Sequence, residues 1–418
     1  MKPPTTAFVH YTAPPIIGGV EAVMHAHAKS FLEAGYPVAV IAGRGSQTAL
    51  PPHTDFRLLP VLDSLHPELS RFNVLLEEGH VPPDFDSWVK TLAEELSPIL
   101  HSFDHVIVHN IFTKHFHLPL TAALHRLLDL GTVGHCIAWC HDFTWSSPSS
   151  GHKVHPGYPW DLLRTYRPDV TYVAVSQERQ RTLAQLFRRS VADIRVIYNG
   201  VDPEVLLGLS ETGRFLVRRL GLQEADLVLL MPVRVTQAKN IEYALYVIAA
   251  LKQQGSRPRL LVTGPPDPHD AASLDYLHTL QELRRELDLE QEAHFVFECG
   301  PDPAMPFVID YPVVSELLRS CDVMFMPSHR EGFGMPVLEA GLLGRLVAGT
   351  AVPAALEIGG QEVLLFDEAD EPAQVAGRIL EWSESNSMQR LRRRVRQNYS
   401  WSAIFHKQIE PLLKGQPS

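Results

Sequence analysis

Short apolar runs alternate with helix-length segments along this chain, and the alternation starts twice. In the first half, residues 7–11, 37–42, 104–109, 133–139 and 171–176 read as strands, and segments such as 20–34 read as helices. Strands that are apolar throughout, each followed by a helix, predict a parallel sheet covered on both faces. After a strand at 194–198 and the turn Asn199-Gly200, the pattern restarts. Strands are expected at 226–231, 259–264, 293–297 and 322–326, with helices at 240–254 and 273–287. A chain of 418 residues exceeds one ordinary core. The expectation is two α/β units in tandem, 1–204 and 205–398, with a hinge within 201–208. A last amphipathic helix lies in 399–418, capped by Ser400 or Ser402. Residues 45–103, rich in proline and histidine, read as an insertion over the first domain that shapes its binding site.

The segment Ser328-His-Arg-Glu-Gly-Phe-Gly-Met-Pro-Val-Leu-Glu-Ala-Gly341 carries the densest chemical information. It leaves an apolar strand, turns through Gly332 and Gly334, and enters a helix near Met335 and Pro336, where proline suits the first turn. The free amides of that turn and the positive end of the helix dipole make an anion site. Glu331 and Glu339 bracket it, and carboxylates accept hydrogen bonds from paired hydroxyls. Amides for phosphate beside acids for hydroxyls suit a nucleotide-sugar.

Three further sets follow strands. Arg234 and Lys239 stand after the first strand of the second domain, where open α/β sheets bind ligands. An arginine grips a diphosphate bidentately, and a lysine acts as a point charge. Gly18-Gly19 precedes a helix and lets backbone approach a ligand closely. His141-Asp142 follows a mid-domain strand. Each set also has a plainer structural reading, since surface cations, tight turns and stray histidines (21 in this chain) are common.

Composition narrows the partners. The net charge of -11 argues against nucleic acid. Residues 1–130 hold 8 Lys/Arg against 13 Asp/Glu, a balance of -5, so no overall basic field attracts an anionic membrane. Lys114, His115, His117, His125 and Arg126 form one local basic stretch, read as a solvated helix face. Cys136, Cys140, Cys299 and Cys321 show no CxxC pattern and read as reduced core residues. With no apolar signal region after Met1 and no apolar run of spanning length, a cytoplasmic protein without membrane insertion is expected.

Together these motifs resemble the retaining glycosyltransferases of family 4, whose fold is GT-B. The resemblance is carried by Gly18-Gly19, His141, Asn199-Gly-Val-Asp202, Arg234 with Lys239, the Glu331-Gly-Phe-Gly-x4-Glu339 block and the Ser-Trp tail. One departure is Val233, where the family has glycine before the arginine. The resemblance implies two Rossmann-like, doubly wound domains facing across a cleft, with the C-terminal helix crossing back to the first domain. It implies a nucleotide diphosphate-sugar (UDP-glucose or GDP-mannose type) on the second domain and a saccharide or small hydroxylated acceptor on the first. His141, Glu331, Arg234 and Lys239 would be catalytic. Gly18, Gly19, Arg234, Lys239, Gly332, Phe333, Gly334, Met335, Val337 and Glu339 would bind the donor. No metal or other cofactor is expected. Asp84-Phe-Asp86 matches the Asp-x-Asp motif of the other major glycosyltransferase fold, but reads as a helix N-terminal acid pair. Two other functions fit the same motifs less fully: a nucleotide-sugar epimerase of the same fold, and an inactive nucleotide-sugar-binding protein.

Overall fold

The computed structural model describes residues 3–267, 272–302 and 304–415. The chain forms two compact units, one running to Gly200 and resumed from Trp401, the other Val201–Ser400. In the first unit the strands are β1 (Thr6–Thr12), β2 (Val38–Arg44), β3 (Asp55–Leu58), β4 (His105–His109), β5 (His135–Cys140), β6 (Val170–Ala174) and β7 (Ile194–Val196). They form one parallel sheet in the order β3-β2-β1-β4-β5-β6-β7. In the second unit, β8 (Leu227–Met231), β9 (Pro258–Val262), β10 (Ala293–Phe295), β11 (Val323–Met326), β12 (Leu346–Thr350) and β13 (Leu364–Phe366) form another, in the order β10-β9-β8-β11-β12-β13.

Both orders run outward from the first strand and then jump back across it. That is the doubly wound arrangement, and each sheet has its switch point beside its first strand: β1/β4 in one unit, β8/β11 in the other. The strands at both switch points are buried at every position. Period-two alternation sends their side chains to opposite layers. Ala7, Val9, Val106 and Val108 pack under the helices Phe85–Leu100 and Leu118–Asp129. Phe8, Val40, Ile107 and Trp139 pack under the helix Gly19–Glu33 and the C-terminal segment.

That C-terminal segment returns to the first unit. It runs Trp401–Ile404, then a π-helical turn Phe405–Ile409, then Glu410–Leu413. Phe405 packs edge-on against Phe31 with ring centres 5.0 Å apart, and the Tyr36 hydroxyl donates to Glu410 at 2.9 Å.

Two expectations need correction. Residues 45–103 are part of the sheet's own winding and not an irregular insertion. They supply edge strand β3, the helix Pro67–Glu77 and the helix Phe85–Leu100, which buries Phe85, Val89, Leu92, Leu96 and Leu100 along one helical stripe. The local basic stretch is a solvated face only in part, since Arg126 is exposed and Lys114 half-buried. His115, His117 and His125 are buried, and desolvation lowers each imidazole to about 4, so they are neutral at pH 7. His117 accepts from the Leu120 amide as a helix cap, because its ring faces inward to meet the Val61 carbonyl. Asp84 is the N-cap residue of Phe85–Leu100 and pairs with Arg71, while Asp86 lies in the first turn. All four cysteines are buried free thiols, and burial pushes Cys136 up to about 12.

Candidate active-site residues

In the second unit the loops after the two switch-point strands meet. The His329 amide donates to the Ala238 carbonyl at 3.0 Å, tying the loop after β11 to the loop after β8. This brings Lys239 and Glu331 together: Nζ lies 2.7 Å from Oε1. Their side chains are 23% and 11% exposed. The Ser328 hydroxyl also donates to Glu331 Oε1, at 2.6 Å, and Thr350 Oγ1 donates to the Ser328 carbonyl. Glu331 is therefore held from both sides, by one charge and one hydroxyl.

Arg234 stands apart from this pair. Its side chain is 59% exposed and lies 3.7 Å from Asp267. The loop that carries it leans on the end of β9. The Val235 amide donates to the Pro265 carbonyl, and a Cβ on Gly264 would lie 2.6 Å from the Val233 carbonyl oxygen. Gly264 thus lets the Val233 carbonyl approach closely, and the Val233 side chain packs in the core.

Gly334 has φ 85° and ψ 38°, a left-handed conformation suited to glycine, and it caps the helix Met335–Leu342. Phe333 and Met335 are more than half exposed around that helix start. Val337 packs inward, and its amide is bonded to the Gly334 carbonyl at 2.9 Å. Nothing lies within 4 Å of where a Cβ on Gly332 would stand, so the turn is open on that side. Glu339 accepts from the Tyr311 hydroxyl at 2.9 Å.

In the first unit the residues also collect at the carboxyl ends of the switch-point strands. Gly18 is extended and precedes the helix Gly19–Glu33. A Cβ on Gly18 would lie 2.1 Å from Oε2 of Glu21, which folds back over it. Glu21 is buried and accepts from Thr12 Oγ1. A carboxylate thus already stands at this helix N-terminus, where the dipole favours it. Gly19 is open by the same measure.

His141 follows β5 and is buried; desolvation lowers its imidazole to about 4. Asn110, after β4, is left-handed at φ 60°. Its Oδ1 accepts from the amides of His141 at 2.8 Å and Asp142 at 3.1 Å, which fixes the loop carrying the histidine. Behind it, His109 Nδ1 lies 3.3 Å from His141 Nε2, and His10 Nδ1 donates to the His109 carbonyl at 2.9 Å. Asn110, His109, His10 and Glu21 were missed from sequence. The Gly-Gly-x-Glu spacing and a strand ending His-Asn were the available signals.

Among the described residues, no group of three His, Cys, Asp or Glu side chains is placed to hold a metal ion. Among the same residues, no helix is long and apolar enough to cross a membrane.

Comparison with known proteins gives the family of the chain. The model of glycosyltransferase family 4 matches residues 17–205, and that of glycosyl transferases group 1 matches 214–400. An uncharacterized glycosyltransferase of Methanocaldococcus jannaschii, MJ1607, is 24% identical over 343 residues, 77% of this chain and 79% of that protein. D-inositol 3-phosphate glycosyltransferase of Stackebrandtia nassauensis is 30% identical over 43% of this chain and 38% of its own. The mannosyltransferase ALG2 of Kluyveromyces lactis is 26% identical over 52% and 44%. These last two matches span less than half of either relative. HepE from Anabaena, solved with UDP and glucose, aligns over 98% of this chain and 99% of its own at 18% identity, with a TM-score of 0.35. A likeness of that level says nothing of ligand or acceptor.

Proposed function

Because this chain belongs to glycosyltransferase family 4, a family of the GT-B fold, we infer that it moves a hexose from a nucleotide diphosphate-sugar to an acceptor hydroxyl, with retention at the anomeric carbon and without a metal. The observation that carries this reading is the convergence at the β8/β11 switch point. Lys239 and Glu331 meet there, within the loops that also present Arg234 and the helix start at Gly334.

The chemistry follows from those groups. A departing nucleoside diphosphate gathers negative charge, and preorganised cations and amides stabilise charge that grows in the transition state. Arg234, Lys239 and the amides at Gly332, Phe333 and Gly334 fill that role. Met335 lies against the donor, and Val337 supports the turn from within the core. Glu331 orients sugar hydroxyls, and Glu339 takes the ribose. In the first unit, Gly19 leaves backbone open to a ligand, beside Gly18, which Glu21 covers. His141 meets a hydroxyl of the transferred sugar. We assign none of the described carboxylates to a double displacement; the acceptor attacks the same face through an oxocarbenium-like transition state, and the leaving diphosphate takes its proton. The donor belongs to the second unit and the acceptor to the first.

The relatives' names include a polyol phosphate and a mannose transfer, so both a small hydroxylated acceptor and a saccharide belong in the test. Stability is measured against a panel of UDP- and GDP-sugars, since a ligand bound only by the native state raises the melting temperature. A shift with one nucleotide-sugar identifies the donor; no shift with any, at millimolar ligand, counts against the reading.

A further inference from the structure

Beneath His141 the first unit buries an unusual amount of imidazole. His27 and His109 are fully buried, His10 and His141 nearly so, and all four belong to the β1, β4 and β5 ends or the helix Gly19–Glu33. Desolvation lowers His27 to about 3 and holds His109 well below its ordinary value, so these rings are neutral at physiological pH. A neutral imidazole has one N–H and one bare nitrogen, and the tautomer decides which face donates.

The contact between His109 Nδ1 and His141 Nε2, at 3.3 Å, needs one donor and one acceptor. The other nitrogen of His109, Nε2, is buried without a hydrogen-bond partner. If His141 donated, the proton of His109 would be on that Nε2, leaving a buried N–H unmet. If His109 donates from Nδ1, the unmet atom is only a bare ring nitrogen beside Phe8, His27 and Trp139. Orphaned buried N–H groups are the rarer and costlier defect. His141 turns Nε2 toward His109, which leaves Nδ1 as its other ring nitrogen.

We propose that His109 is a positioning residue that holds His141 in the tautomer protonated at Nδ1, so that His141 meets its ligand as a hydrogen-bond donor to a hydroxyl oxygen. The proposal rests on the reading that His141 touches the transferred sugar, but its structural half is tested without turnover.

The full-length protein, labelled with 15N at histidine, is examined by long-range proton–nitrogen NMR at pH 7.5, with His141 assigned by its loss in His141→Gln. The expected spectrum has Nδ1 protonated and Nε2 bare. His109→Asn, whose amide nitrogen falls near the original Nδ1, keeps that signature and near wild-type kcat. His109→Phe loses it and lowers kcat about tenfold with KM little changed, as expected for one lost hydrogen bond. A native His141 protonated at Nε2, or an unchanged signature in His109→Phe, overturns the proposal. An Nδ1-protonated His141 in a protein where His141→Ala transfers normally upholds the tautomer and overturns instead the reading on which it rests.

Discussion

Lys239 and Glu331, 92 positions apart in the chain, form a close ion pair with Nζ 2.7 Å from Oε1. The pair neutralises its own charges, so under the proposed function a donor arriving at this switch point would meet a lysine already engaged by the carboxylate. It also means that neither side chain can be removed cleanly.

Lys239→Met leaves Glu331, among the described residues, with the Ser328 hydroxyl alone, and the expected loss is about 1–3 kcal/mol in urea unfolding. The double variant Lys239→Met with Glu331→Gln removes both charges and is expected to lose less than the two singles summed. Strictly additive losses would mean that the pair is not coupled.

Glu331→Gln keeps the fold and loses most transfer. One charged hydrogen bond to a sugar hydroxyl contributes on the order of 1.5–3 kcal/mol, roughly ten- to hundredfold in kcat/KM. Near wild-type turnover removes Glu331 from the proposed role.

Arg234→Ala and Lys239→Ala each weaken a nucleoside diphosphate more than the matching nucleoside. The two cations occupy separate loop positions, Arg234 largely exposed and loosely paired with Asp267, Lys239 closely paired with Glu331, so their effects are expected to differ in size but not in kind. Calorimetry with both ligands decides it, and equal losses for both mean that neither residue reads phosphate.

The first unit is acid-sensitive. His115, His117, His125 and His141 are held at about 4 when folded and titrate near 6.5 when unfolded. Between those values the unfolded chain binds more protons, so the stability that these groups contribute is present above pH 6.5 and is lost as pH falls toward 4. At pH 5.5 the loss is at most about 1.4 kcal/mol per histidine. Urea midpoints at pH 7.5 and 5.5 test this, and a flat profile contradicts it.

Much of this fold is legible in the chain because buried parallel strands are apolar at every position, as in β1, β4, β8 and β11. Edge strand β3 is not, since none of its residues is buried, and β13 is only three residues long. The helix Phe85–Leu100 was hidden by composition: prolines and histidines around it, and Pro98 within it, masked a regular apolar stripe. The site was legible where its parts are chain-local, as in Glu331-Gly-Phe-Gly and Gly18-Gly19. Contacts between distant segments were not: Lys239 with Glu331, Asn110 with the His141 loop, and His109 with His141 all depend on which strands become neighbours.

The central claim is metal-free, retaining transfer from a nucleotide-sugar. The direct measurement incubates the full chain with UDP-glucose and GDP-mannose, alone and with polyol phosphate or saccharide acceptors, after exhaustive EDTA treatment. Nucleoside diphosphate release is followed, together with the proton NMR coupling of the product's anomeric hydrogen. Metal-free retaining transfer gives acceptor-dependent release that EDTA leaves unchanged, and a product with the donor's α configuration. An inverted product, activity abolished by EDTA and restored by Mn²⁺ or Mg²⁺, an epimerised donor, or binding without turnover would contradict it.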